Sequence, residues 1–147
     1  MKRNALLLLA AMITYVGATA QEKEKEEKSI PAPAVAKAAF SKAFPGASKV
    51  KWEKENSDYE VNFTKDGKEM SAVYDSKGVL KETEVEITAA ELPAAATEYI
   101  KQHYKGATVK EAAKITTASG TVTYEAEVNK KDVIFDANGK FIKEEKD

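Results

Sequence analysis

The sequence predicts an α+β protein of two tandem repeats, each a helix packed on a four-stranded antiparallel sheet. Three observations carry that prediction. The chain matches itself at a shift of about sixty residues; each copy opens on a proline and an apolar stripe at helical spacing; and short runs of alternating apolar and polar residues follow each stripe, separated by turn residues.

Residues 1–20 have the layout of a secretory signal peptide: basic Lys2 and Arg3, an apolar stretch from Ala5 to Val16, and small residues at Ala18 and Ala20. Thr14, Gly17 and Thr19 interrupt the apolar run, which falls short of the roughly 18 residues of a membrane span. Cleavage is expected between Ala20 and Gln21, and Gln21 offers no thiol for a lipid anchor. The expected mature chain is a protein of the periplasm or the extracellular space with no membrane span. Residues 21–30 carry charges of both signs and read as a charged, disordered linker.

Repeat 1 is expected over residues 31–87 and repeat 2 over residues 88–147. A shift of 60 sets Pro33 on Pro93, Phe40 on Ile100, and Phe44-Pro45-Gly46-Ala47 on Tyr104-Lys105-Gly106-Ala107. A shift of 65 sets Tyr59, Val61 and Phe63 on Tyr124, Ala126 and Val128, and a shift of 61 sets Tyr74, Asp75 and Gly78 on Phe135, Asp136 and Gly139. Such changes of shift belong in hairpin loops, because a one-residue slip within a strand turns its side chains over.

The first helix follows Pro33, with Ala36, Ala39, Phe40, Ala43 and Phe44 on one face, and ends at Pro45-Gly46. Its counterpart follows Pro93 with Ala96, Tyr99, Ile100 and Tyr104, and ends at Gly106. Thr88 and Glu91 have capping-box spacing and start a separate short turn ahead of Pro93. Tyr59, Val61 and Phe63 alternate with Glu60, Asn62 and Thr64, and Val122, Tyr124, Ala126 and Val128 with Thr123, Glu125, Glu127 and Asn129. Val50 and Trp52 alternate with Lys49, Lys51 and Glu53, and Glu82, Glu84 and Glu86 oppose Thr83, Val85 and Ile87. The phase of Trp52, Tyr59, Tyr74 and Tyr124 puts these aromatics in the core rather than on a sugar-stacking platform.

One helix covers one face of such a sheet, so the other face stays polar. Lys49, Lys51, Glu60, Asn62, Glu82, Glu84, Glu86, Glu125 and Glu127 fall on it and form the candidate binding face. Each repeat is marginal alone at this size, so the two are expected to pack together or share one continuous sheet.

The sequence argues against catalysis. His103 is the one histidine, there is no cysteine, and no G-x-S-x-G elbow presents a nucleophile. Zinc lacks ligands, the Asp75 and Asp136 loops lack the EF-hand pattern, and no phosphate-binding glycine motif occurs. The Glu82, Glu84 and Glu86 row has glycosidase-like chemistry, but on an open sheet it is expected to be well solvated, with no raised pKa. No cofactor is implied. Loss of Lys2 and Arg3 with the leader takes Lys+Arg from 23 to 21 against 24 Asp+Glu, a net charge of −3 that offers no field for nucleic acid.

The segments Ala34-Val35, Ala39-Phe40, Phe44-Pro45-Gly46-Ala47, Val50-Lys51-Trp52-Glu53, Tyr59-Glu60-Val61-Asn62-Phe63, Gly67-Lys68-Glu69-Met70, Tyr74-Asp75, Gly78 and Leu80, followed by Glu91-Leu92-Pro93-Ala94-Ala95, carry a family pattern. Over roughly residues 31–145 the chain resembles the PepSY-like, beta-lactamase-inhibitor-like family of bacterial exported proteins. The resemblance implies helices on an antiparallel sheet, a periplasmic or secreted location, and an inhibitory or ligand-binding role. Lys105 in place of Pro45 and Ala112 in place of Trp52 set the second repeat apart. The function expected is therefore a non-catalytic binding protein, an inhibitor or modulator of an extracytoplasmic enzyme, with a protein or peptide partner. The alternative is a self-assembling structural or envelope-stress accessory that pairs its edge strands.

Overall fold

The computed structural model describes residues 31–146. The signal peptide, its cleavage point at Ala20 and Gln21, and the linker of residues 21–30 lie outside the described residues. Helix α1 (Ala34–Ala43) is followed by strands β1 (Ser48–Glu55), β2 (Asp58–Lys65), β3 (Lys68–Tyr74) and β4 (Leu80–Ile87). A 3-10 turn (Ala89–Glu91) leads to helix α2 (Ala94–His103) and strands β5 (Glu111–Thr117), β6 (Val122–Glu127), β7 (Lys131–Asp136) and β8 (Phe141–Lys146).

Each helix starts and stops on the residues that the repeat places there. Pro33 and Pro93 are N-caps with ψ of 141° and 140°, one step before the first helical turn. Their carbonyls accept from the Lys37 and Thr97 N–H groups at 3.1 Å. At the other end, the Phe44 N–H donates to Phe40 and the Tyr104 N–H to Ile100, each at 2.8 Å. Gly46 and Gly106 then take φ of +81° and +75°, a conformation that turns the chain without a Cβ penalty. The 3-10 turn is held by its capping box: the Thr88 N–H and Oγ1–H both donate to Glu91 Oε2, at 2.7 and 2.9 Å.

All eight strands form one antiparallel sheet in chain order, β1 to β8. The expectation of a four-stranded sheet in each repeat is thereby corrected. Strands β4 and β5 pair across the repeat boundary from Glu82↔Thr117 to Ile87↔Ala112. The physical reason is the edge: separate sheets would leave two more rows of N–H and C=O groups unpaired.

Both helices lie on one face, over two clusters. Under α1, Phe40 meets Trp52 and Phe63 edge-on, with ring centroids 5.7 and 4.9 Å apart, and Val61, Ala72 and Tyr74 complete the cluster. Under α2, Ala96 and Ile100 pack on Ala112, Ala126, Val128, Val133 and Phe135. Tyr59 and Tyr124 are half-buried on this side. Val50 departs from the expected apolar phase and is 42% exposed. A bulge between Ser48 and Lys51, with Lys49 at φ +52°, inserts one residue and breaks the alternation there.

The turn after the third strand of each repeat tucks against its helix. Asp75 Oδ1 accepts from the Lys77 and Val79 N–H groups at 2.8 and 2.9 Å, and Asp136 Oδ1 from those of Asn138 and Lys140, both at 2.9 Å. A Cβ on Gly78 would lie 2.8 Å from the Val35 carbonyl oxygen, and one on Gly139 2.7 Å from the Ala96 nitrogen.

Candidate binding face

Side chains opposite in parity to the core form the second face of the sheet, and neither helix lies on it. The register places four rows across it. One runs Glu53, Glu60, Val73, Glu82, Thr117, and the next Lys51, Asn62, Ser71, Glu84, Ile115, Thr123, Asp136. The third runs Glu86, Ala113, Glu125, Ile134, Lys143, and the last Glu111, Glu127, Asp132, Glu145. Of the residues expected on this face, Lys51, Glu60, Asn62, Glu82, Glu84, Glu86, Glu125 and Glu127 share it in register. Lys49 sits in the bulge, outside the rows.

Of the Glu82, Glu84 and Glu86 row expected to be well solvated, Glu86 is exposed and Glu82 half-buried, and Glu84 departs with a raised pKa; the neighbouring polar residues are more deeply enclosed. Glu60, Asn62, Ser71, Glu125, Glu127 and Asp132 are 2–9% exposed, shielded by one another's neighbours across a wide sheet. Burial, with repulsion from Glu55, Glu53 and Glu82, pushes Glu60 up to about 7, against a hydrogen bond from Ser71 that lowers it. Burial also pushes half-buried Glu84 up to about 8, and the carboxylates of Glu125, Glu60, Glu82 and Asp132 all push the same way. The cations present serve the margins. Lys51 pairs with Glu53 at 3.1 Å, Lys143 with Glu145 at 2.6 Å, and Lys110 with Glu127 at 3.3 Å. Asp132 was not expected on the face, although its register opposite Glu127 puts it there.

Asn62 Oδ1 is enclosed within this face and accepts no hydrogen bond. The Tyr74 hydroxyl on the core face is likewise enclosed without a partner, and burial raises its pKa. A raised carboxylate is also what a general acid requires. The cleft of about 430 Å³ lined by Gly67, Glu69, Glu86, Thr88, Lys110 and neighbouring residues does not reach Glu60 or Glu84. His103 belongs to the helix side. Its ring stacks on Tyr99 at 3.9 Å, and its Nδ1 lies 2.9 Å from the Tyr99 carbonyl oxygen. Among the described residues, no three acidic or histidine side chains converge on a metal-sized point, and no helix is long and apolar enough to cross a membrane.

The family model described as "Putative beta-lactamase-inhibitor-like, PepSY-like" matches residues 20–82 and again residues 70–143. The chain is a member of the PepSY-like family. The two matches overlap in β3 and β4, the strands next to the seam between the repeats. No curated protein matches the sequence. Solved structures share the fold of this PepSY-like chain. A periplasmic protein from Bacteroides eggerthii aligns with a TM-score of 0.73 at 16% identity, over 78% of this chain and 88% of its own. A DUF2874 family protein from Bacteroides uniformis aligns with a TM-score of 0.71 at 22% identity, over the same 78% and 88%. A BLIP-like protein from Bacteroides fragilis aligns with a TM-score of 0.63 at 23% identity, over 79% and 86%.

Proposed function

We propose that this PepSY-like chain is a non-catalytic binding protein of the periplasm or extracellular space, and that it modulates an extracytoplasmic enzyme by docking it on the acidic sheet face. The observation that carries this reading is the state of Glu84: a carboxylate held among other carboxylates on a face that no helix covers. Such an arrangement costs the free protein stability, and natural chains keep local conflicts of this kind at functional sites. The leader at residues 1–20 and the periplasmic description of the Bacteroides eggerthii neighbour support the location.

The edges favour docking over self-assembly. Strand β1 carries the bulge at Lys49, and β8 ends in Lys143, Glu144, Glu145 and Lys146, devices that discourage edge-to-edge pairing.

Cross-linking in the native host tests the reading. Glu82→Lys with Glu86→Lys reverses two of the more accessible charges on the face, and Lys101→Glu alters the exposed helix side as a control. A partner retained by the wild type and the control but lost from the double variant is the expected result. Equal capture by all three removes the face from the function.

A further inference from the structure

Charge is sorted across the sheet. On the side that carries the helices, the register places Lys54 beside Tyr59, Lys65 beside Lys68, Lys114 between Val85 and Tyr124, and Lys131 beside Lys146. Among the described residues, Glu144, opposite Val133, is the one carboxylate that any strand turns to this side. It is taken by the Tyr104 hydroxyl and by Lys131. The opposite face reverses the ratio: Lys51 and Lys143 are the lysines in its rows, and every strand sets at least one carboxylate there.

The helices add to the basic side. Lys37 and Lys42 on α1, Lys101 on α2 and Lys105 just after it are exposed, whereas Ala36, Phe40, Ala96 and Ile100 are buried against the sheet. Glu98 is the one carboxylate in either helix, and it accepts from Gln102 at 2.8 Å. Lys105 stands where repeat 1 has Pro45, so the second repeat gains a cation there. Lys114 is exposed as well, on β5 at the seam. The layer of helix between the two surfaces is about 10 Å across. Exposed charges further apart than about 8 Å are largely screened at physiological salt, so a chain with a slight excess of carboxylates still offers a positive surface at contact range.

We infer that the helix side docks on an anionic lipid surface, with Lys37, Lys42, Lys101, Lys105 and Lys114 meeting headgroup phosphates and the acidic sheet face turned away from the bilayer. This goes beyond the binding-face reading and shares only the exported location with it. The cations are spread over two helices and a seam strand rather than drawn into a track, which suits a two-dimensional array of phosphates better than a single polyanionic strand. Each is a point charge on a flexible stem and so adapts to headgroups that have no fixed positions. A second copy also has complementary charge, but its acidic face keeps Glu60, Glu125, Glu127 and Asp132 only 2–9% exposed, and a face-to-back contact does not close on itself.

Cosedimentation of the intact exported protein with vesicles of phosphatidylcholine alone, or of phosphatidylcholine mixed with phosphatidylglycerol, tests the proposal. The protein should bind the anionic vesicles, more weakly as salt is raised, and pass over the neutral ones. Each lysine near a charged bilayer contributes about fivefold, so Lys37→Gln with Lys42→Gln, and Lys101→Gln with Lys105→Gln, should each weaken binding by about tenfold or more. The chain has no cysteine, so a polarity-sensitive dye on Ser41→Cys or on Glu86→Cys reads the orientation. Its emission should shift on anionic vesicles at the first position and stay unchanged at the second. No binding to either vesicle, equal binding to both, indifference to both lysine pairs, or a shift at the second position in place of the first would overturn the proposal. Tighter binding of dextran sulfate than of anionic vesicles would overturn it in favour of an acidic polysaccharide. Pelleting without vesicles that Glu82→Lys with Glu86→Lys abolishes would overturn it in favour of a second copy. None of these results touches the capture of a partner by the acidic face, which the cross-linking experiment reads separately.

Discussion

Glu84 and Glu60 hold protons in the folded chain to about pH 8 and about pH 7, while each ionises near 4.5 once the chain unfolds. Between those values the native state binds more protons than the unfolded state, so stability falls as pH rises. Their contribution is fully present below about pH 4.5 and is lost as pH climbs through 7 to 8. Asp75, Glu91 and Glu144 behave oppositely. Hydrogen bonds from backbone or side-chain donors lower their pKa values, so what they add is lost in acid and stays constant in this window. We expect the Tm to fall by roughly 5 °C from pH 5.5 to 8.5, on the order of 1–2 kcal/mol. Glu84→Gln should raise the Tm at pH 8.5 and change it little at pH 5.5. A Tm that stays level or climbs across that range in the wild type would show that these carboxylates are solvated after all. The alternation of Glu60 with Val61, and of Glu84 with Val85, is legible in the sequence because strand geometry has a period of two. Their burial is not, because it depends on how many strands lie on either side.

The same limit governs the elements. Both helices, their proline starts and glycine ends, and the capping-box turn at Thr88 and Glu91 are written in residues next to one another in the chain. The bulge at Lys49 is not, since no glycine marks the positive φ. Nor is the tight turn at Asn129 and Lys130, where both residues take positive φ of 55° and 59° without a glycine. The docking of the Gly78 and Gly139 turns against α1 and α2 is a contact between elements, and each glycine is needed twice over, for φ near +80° and for clearance from helix backbone. Gly78→Ala and Gly139→Ala should each destabilise the protein by roughly 2–3 kcal/mol in urea unfolding. Gly46→Ala, with the same handedness but open space around it, should cost about 1 kcal/mol. Equal losses at all three would mean that only φ matters and that the turns do not brace the helices.

At the scale of the molecule, duplication was readable, and the small size of each copy left two ways of joining open, packing together or sharing one continuous sheet, of which the structure has the second. The matched prolines, glycines and Asp75 and Asp136 turns announce two copies, but nothing in either copy states that β4 will pair with β5 rather than stand at an edge. That pairing makes the repeats interdependent. A chain ending at Ile87 would keep the Phe40, Trp52 and Phe63 cluster yet expose the whole of β4. We expect such a half-chain to be largely unfolded, or to associate through β4, when measured by circular dichroism and size-exclusion chromatography. A stable monomer with a cooperative melt would show that each repeat suffices alone. The strand order also bears on how the molecule comes into being. Every ladder joins neighbours along the chain, and the widest gap that pairing must close is the one bridged by the 3-10 turn and α2. Contacts that close over short separations form fast. A chain that grows amino end first therefore brings short-range ladders together early, yet its first module settles only when β5 arrives to close the open side of β4, so the halves lock into place jointly rather than in turn.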